Sequence, residues 1–404
     1  MKTTTAVFRI ALAILAGLQL ISCSRKDDKP AAASPAVAPV GRYAAVAEVP
    51  EGVRQEVEAF GKEMETNCRG KQTQAIRAAF DTVGMASAIC EGVKGPEQRL
   101  NEFRNGLQKG LLSSTEQIAT NWSGQDSKFK GLALYNGRPA ARFRFVSDKA
   151  GIAIMDLVVS RQRGKLRIQD VYNQAMGFGM IEQTKQATAP MLAELDKSFL
   201  ERLLDQPKVP QADIERFGEL AKQFRSGDFA GTVATYKSLP PALRETKLVT
   251  AIYLGALQRG NDDAGYKAAL KQAAAKFKTA NFQFMLVDMY YLDKEYDKAA
   301  GCVDAFMQAV GKDAALLALK SLMLNAKGDV PAARAALGEA LQLEPDCVYA
   351  HAKGLDVLLA ARDFPAVRDS MIFLEKNAGY NFRGALKGGI WADFKQAPES
   401  AQWR

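Results

Sequence analysis

From residue 212 onward the chain repeats itself about every thirty-four residues, and this period constrains its fold more than any other feature. Four short landmarks carry it: Gly227-Asp228-Phe229, Lys294-Glu295-Tyr296, Gly328-Asp329-Val330 and Arg362-Asp363-Phe364. Aligned on them, units start at Asp213, Thr246, Ala280, Ala314 and Val348, spaced 33, 34, 34 and 34 residues apart. A unit this short cannot bury an apolar face by itself. Successive units must therefore stack, and the stack itself forms the core.

The period and its landmarks resemble the tetratricopeptide repeat, whose unit is a pair of antiparallel helices. Ala299 and Ala333 stand where that family places a small residue between the two helices, and Pro345 in Leu343-Glu344-Pro345 closes a unit. The chain departs from the pattern at Leu220, Tyr253, Val287, Ser321 and Leu355, which replace an early glycine or alanine. Unit two reads Gly260-Asn261-Asp262-Asp263 without an aromatic, and unit five has Val367 at the small-residue position. The resemblance implies an all-α solenoid of about five units over 212–381, with the first helices lining a groove for a protein or peptide. Its groove positions fall on Phe284, Asp288 and Tyr291, then Leu322 and Asn325, then Tyr349, Lys353 and Asp356. The alternative for each of these is simple packing or solvation. The lysine-asparagine clamp that some relatives use for a terminal carboxylate is not reproduced. Residues 382–404 are expected to form a capping helix, Phe382 to Phe394, and a tail. Trp391 and Trp403 either seal that cap or face a partner.

The opposite end of the chain carries an address. Lys2 and Arg9 are the only charges before Cys23, and an apolar run from Ile10 to Ile21 is interrupted only by Gln19. Twelve residues of helix reach roughly 18 Å, short of a hydrocarbon core of about 30 Å. An export signal over 1–22 fits this run better than a membrane span. Leu20-Ile21-Ser22-Cys23 resembles the lipobox of bacterial lipoproteins, which implies cleavage before Cys23 and acylation of its thiol and amino group. An ordinary cleaved signal with a chance cysteine is the alternative. Ser24, rather than an aspartate, favours the outer membrane by the same resemblance. Residues 23–50 then pass through Pro30-Ala31-Ala32-Ala33-Ser34-Pro35, a lipidated Ala/Pro-rich tether that cannot bury a core.

Between tether and repeats, residues 51–180 read as an α+β domain, helices first and an antiparallel meander second. Val53, Val57, Phe60 and Met64 are spaced for a helix, a second is expected over Gln72–Ile89, and a third follows Pro96. The period then becomes two, as in Arg142-Phe143-Arg144-Phe145, with hairpin signals at Asn136-Gly137 and Arg163-Gly164. A connecting helix is expected over 181–211, using Met191, Leu195, Phe199 and Leu203 and ended by Pro207 and Pro210.

Cys68 and Cys90 flank the second expected helix. In an oxidising compartment they form a disulfide or remain two buried thiols, and the disulfide is the expectation. Ten basic residues between Lys128 and Arg167 face only Asp148 and Asp156, which concentrates most of the chain's excess charge in this domain. Alternation points Phe143 and Phe145 inward and Arg142 and Arg144 outward, beside Arg167. That face is either solvated or a surface for an anionic glycan or lipid.

Little in the chain asks for catalysis. One histidine, His351, excludes multi-histidine zinc sites, and its place in unit five is a packing position. Gly177-Phe178-Gly179-Met180 is too short for a phosphate loop, and the pairs Asp27-Asp28 and Asp262-Asp263 sit in tether and turn. No cofactor, metal or nucleic acid is expected. The reading is a lipid-anchored envelope scaffold whose repeats bind an envelope protein or peptide and which is not an enzyme. The rival places the function on the basic sheet face, and a third possibility is a catalytic activity in the α+β domain that no motif betrays.

Overall fold

A computed structural model of the chain describes residues 37–38, 41–147, 151–188, 191–192, 195–196, 210–384, 386 and 389–403. Cys23, Phe199, Leu203 and Pro207 lie outside the described residues. The chain divides between Phe277 and Lys278 into two compact units.

In the first unit, helix α1 (Glu51–Arg69) places Val57, Met64 and Cys68 on one buried face, at the spacing of a helix stripe. The expected helix from Gln72 to Ile89 is instead two, α2 (Thr73–Ala78) and α3 (Thr82–Ile89). The break occurs because the backbone at 79–81 is used by the sheet. Ile168 N–H donates to the Ala79 carbonyl at 2.8 Å, and Asp81 N–H donates to the Ile168 carbonyl at 2.9 Å. Asp81 then starts α3 by accepting from Gly84 N–H at 2.8 Å. Helix α4 (Glu97–Trp122) follows Pro96 and buries Leu100, Leu107, Leu111 and Trp122.

An antiparallel meander follows: β2 (Asp126–Tyr135), β3 (Arg138–Ser147), β4 (Gly151–Gln162), β5 (Lys165–Asn173) and β6 (Phe178–Gly179), hydrogen-bonded in that order. The two-residue β1 (Val37–Ala38) pairs with the end of β4, at Gln162 and Arg161. Asn136-Gly137 and Arg163-Gly164 all have positive φ, the geometry of two-residue hairpin turns that match strand twist. Helix α5 (Met180–Ala187) completes this part. Phe143, Phe145, Met155, Leu157 and Ile168 pack with Val57, Ile76, Met85, Leu107 and Trp122 in one core, where Trp122 stacks on Phe145 at 4.7 Å.

The expected Cys68–Cys90 disulfide is not formed. Both are buried free thiols in different surroundings, Cys68 beside Ser127 and Cys90 beside Arg104. Burial pushes the Cys68 thiol up to about 12, which makes it unreactive at neutral pH.

From Gln211 the chain is a series of packed helices arranged in pairs. The pairs are Gln211–Ser226 with Phe229–Ser238, Lys247–Arg259 with Asp263–Phe277, Ala280–Leu292 with Tyr296–Val310, Ala314–Lys327 with Val330–Leu343, and Val348–Ala360 with Phe364–Ala378. A four-residue helix, Pro241–Arg244, sits between pairs one and two.

The landmark triplets are the turns inside the pairs. Gly227, Asn261, Lys294, Gly328 and Arg362 each adopt a left-handed backbone conformation. The N–H of the next residue then reaches back to the carbonyl of Gln223, Leu257, Tyr290, Leu324 or Leu358, at 2.8–3.0 Å. This is the Schellman closure of a helix C-terminus. That same next residue begins the second helix. Asp228, Asp262, Asp329 and Asp363 each accept from a backbone N–H three positions on. Glu295 does not cap with its side chain. Four positions after residues 228, 295, 329 and 363, Thr232, Ala299, Ala333 and Val367 are fully buried, whereas Tyr266, the counterpart in pair two, is half-buried.

The expected capping helix from Phe382 to Phe394 is not continuous. Phe382–Gly384 is not helical, and the helical pieces are Gly389–Trp391, Ala392–Gln396 and Pro398–Trp403. Glu375 gathers the end of the chain, accepting from Phe382 N–H at 3.1 Å and from the Trp403 indole at 3.0 Å. Trp403 is buried beside Phe394, whereas Trp391 is half-buried.

Candidate protein-docking groove

The unit beginning at Lys278 holds all eight residues expected to line a groove. Its three first helices differ in girth. In the middle one Ala314, Ala315 and Ala318 are fully buried, so large side chains of neighbouring helices have room beside it. Two expected groove residues are themselves buried and unavailable to a partner. Phe284 is in the core, stacked on Phe306 with centroids 4.1 Å apart. Tyr349 is only 8% exposed, and its hydroxyl has no hydrogen-bond partner.

The other six remain accessible in part. Asp288, Tyr291, Leu322 and Asn325 are half-buried, and Lys353 and Asp356 are exposed. Electrostatic contacts link pair three to pair five, although about sixty residues separate them in sequence. Burial pushes the Tyr349 hydroxyl far above the usual phenol range, and the neighbouring Asp288 charge adds to this. Burial likewise raises Tyr291, helped by Tyr296 and by Asp356. Although Asp356 is exposed as a residue, neighbouring atoms shield its carboxyl from water and raise it, partly offset by Lys353. Asp288 and Asp356 hold the same repeat position, 68 residues apart, and Leu322 is its counterpart in the middle pair. The charge of Asp288 acts on Tyr349 and that of Asp356 on Tyr291.

His351 packs rather than reacts. Its ring stacks on Phe373 at 4.1 Å, Nε2 lies 2.9 Å from the Pro345 carbonyl, and Nδ1 lies 3.1 Å from the Ser370 hydroxyl. These partners suit a neutral ring that donates from Nε2 and accepts at Nδ1. Cys302 and Cys347 are buried free thiols. Among the described residues no cluster of histidine, cysteine and carboxylate side chains could hold a metal ion, and no helix is long and apolar enough to cross a membrane.

The basic sheet face is not the open surface that alternation predicts. Arg144 is fully buried, and Arg142 makes two hydrogen bonds, at 2.7 and 2.8 Å, with the fully buried Asp156 directly across on β4. Gln174 Nε2 donates to the same carboxylate at 2.6 Å. Arg167 is half-buried and its charge acts on Asp81. Ile152, Ile154 and Val158 share that face with Arg144 and Asp156 and are buried with them. Both faces of the sheet are buried, so alternation separates two interiors and not inside from outside.

The burial of Phe284 and Tyr349 could have been read from the chain itself. Ala314-Ala315 and Ala318 are small at positions where neighbouring units carry Phe284 and Tyr349, which signals that those aromatics fill space. No protein-family model matches this chain, and no curated protein or solved structure proved similar to it.

Proposed function

We propose that this chain is a lipid-anchored protein of the bacterial envelope whose helix pairs form a tetratricopeptide-type groove that docks a segment of another protein without catalysis. The observation that carries this reading is the constellation of Asp288, Tyr291, Leu322, Asn325, Lys353 and Asp356. Three successive first helices contribute to it, and electrostatic contacts run from the first to the third. Mixed aromatic, aliphatic and charged lining is what recognition of an extended or helical segment uses. The period, Ala299, Ala333 and Pro345 support the family reading, and Leu20-Ile21-Ser22-Cys23 supports acylation at Cys23 and outer-membrane placement.

A photo-crosslinking residue in place of Asn325, introduced in cells, tests the docking role. A discrete protein adduct, absent when the crosslinker replaces exposed Ile372, is the expected result. Adducts of equal yield at both positions, or none at Asn325, would overturn it. Metabolic labelling with a palmitate analogue tests the anchor, and incorporation should vanish in Cys23→Ser.

A further inference from the structure

We infer that one end of the α+β sheet rests on the anionic phospholipid headgroups of the membrane that anchors the chain, through Arg42, Arg163 and Lys165. The inference rests on the acylation of Cys23 and adds a docked orientation to it. Three observations carry it, the first being where the tether enters the fold. Strands β2 to β5 alternate in direction, so the turns Asn136-Gly137 and Arg163-Gly164 lie at the same end of the sheet. β1 pairs with Arg161 and Gln162, directly before the second turn. Tyr43 N–H donates to the Gly137 carbonyl of the first turn at 2.8 Å. The chain coming from Cys23 therefore joins the sheet at this end, and Val37 follows the acylated position by only fourteen residues. That length reaches at most about 50 Å, and a tether so short holds the end at an effective concentration in the millimolar range.

The second observation is charge. Arg42, Arg163 and Lys165 are exposed at this end. The carboxylates at the same end have local partners. Glu51 lies 3.7 Å from Arg54, Glu56 is paired with Arg161, and Glu48 accepts from Ala44 N–H at 3.0 Å. Arg163 holds a left-handed turn position that Asn136 fills in the other hairpin, one that asparagine or glycine adopts more easily. Each basic side chain near an anionic membrane surface strengthens binding about fivefold. The third observation is what stands beside these cations. Helix α1 runs back along β2, with Arg69 at its far end donating to the Ser127 carbonyl at 2.8 Å, so its start lies at the hairpin end. Just ahead of that start Ala44, Ala45, Val46 and Ala47 are all exposed. Small apolar side chains beside cations suit the boundary between headgroups and acyl chains.

The test places the acylated full chain in phosphatidylcholine vesicles with or without phosphatidylglycerol. A fluorophore is attached at Ala44→Cys or at Asn121→Cys, and quenching by a spin label on the lipid headgroup is measured. Asn121 is exposed at the other end of the sheet, where Gly124 N–H donates to the Cys68 carbonyl. Cys68, Cys90, Cys302 and Cys347 are buried and stay unlabelled. Quenching at Ala44 should exceed that at Asn121 at least threefold, only with phosphatidylglycerol, and should fall as salt shortens the screening length. The triple variant Arg42→Glu, Arg163→Asn, Lys165→Glu should equalise the two positions with an unchanged melting temperature. Equal quenching in the wild type, as expected if this end docks an acidic protein instead, would overturn the inference while leaving the anchor intact. Quenching indifferent to salt and to the triple variant would also overturn it. Failure of the palmitate analogue to label Cys23 would remove the anchor and this inference together.

Discussion

The α+β region and the helix pairs solve the same problem, burying apolar surface, with opposite treatment of charge. In the sheet, Arg144, Asp156, Asp170 and Asp81 are all buried, and some of their contacts are distant in sequence, such as Gln162 to Asp81 at 3.0 Å. Among the helix pairs the interior is alanine, leucine and aromatic. There, four of five turns are capped by an aspartate bonded three residues away. One region is held by long-range polar pairs whose loss leaves a partner stranded. The other is held by short, repeated devices, each of which can be lost singly.

Asp156→Ala probes that contrast with the largest expected effect. It leaves Arg142 and Gln174 without their acceptor, and breaking a buried pair in this way costs about 3–5 kcal/mol. Urea denaturation followed through Trp122, inside the same core, measures it. A loss below about 1 kcal/mol would mean that the pair contributes no more than a surface bridge. Asp329→Ala should cost about 1 kcal/mol, the usual value of an N-cap, measured on the same chain by circular dichroism. A loss as large as that of Asp156→Ala would erase the distinction between the regions.

Lys294→Gly runs the other way. A lysine holding a left-handed conformation is strained, and glycine there should stabilise by roughly 0.5–1 kcal/mol, read as a small rise in melting temperature. The smallest effect concerns His351. Burial lowers its protonation, outweighing the Pro345 carbonyl and Asp346, so the fold favours the neutral ring. Its contribution is present above the ordinary imidazole value of about 6.5 and is lost as pH falls through the lower folded value. Between pH 7.5 and 5 the wild type should lose more stability than His351→Gln, and parallel curves would refute the assignment.

Particular residues show why some of this was legible in the chain and some was not. The period was legible because each turn repeats one local chemistry, a left-handed residue and then a cap, so Gly227-Asp228 and Gly328-Asp329 read as they fold. Unit two, with no aromatic, still folds its turn in the same way through Asn261-Asp262. The break at Phe80 was hidden because its cause, a bridge to Ile168, lies almost ninety residues away. Strand alternation placed Phe143 and Arg144 on opposite faces but carried no information on whether the second face is covered. Groove positions transferred from a family pattern fall on the first helices of pairs three to five. They missed that Phe284 and Tyr349 are themselves buried, Phe284 stacked on Phe306.

The uniform turn also bears on the order in which the molecule assembles. Its bonds close within about six residues, so a helix pair can form as soon as its own residues are available, on the microsecond scale of helix formation. The sheet, by contrast, waits for Phe80 to find Ile168 and for Asp81 to find Gln162, and contacts across such separations close slowly. Although the sheet comes first along the chain, its core is expected to be the last part to become native, and a chain caught midway would carry finished helix pairs beside an open meander.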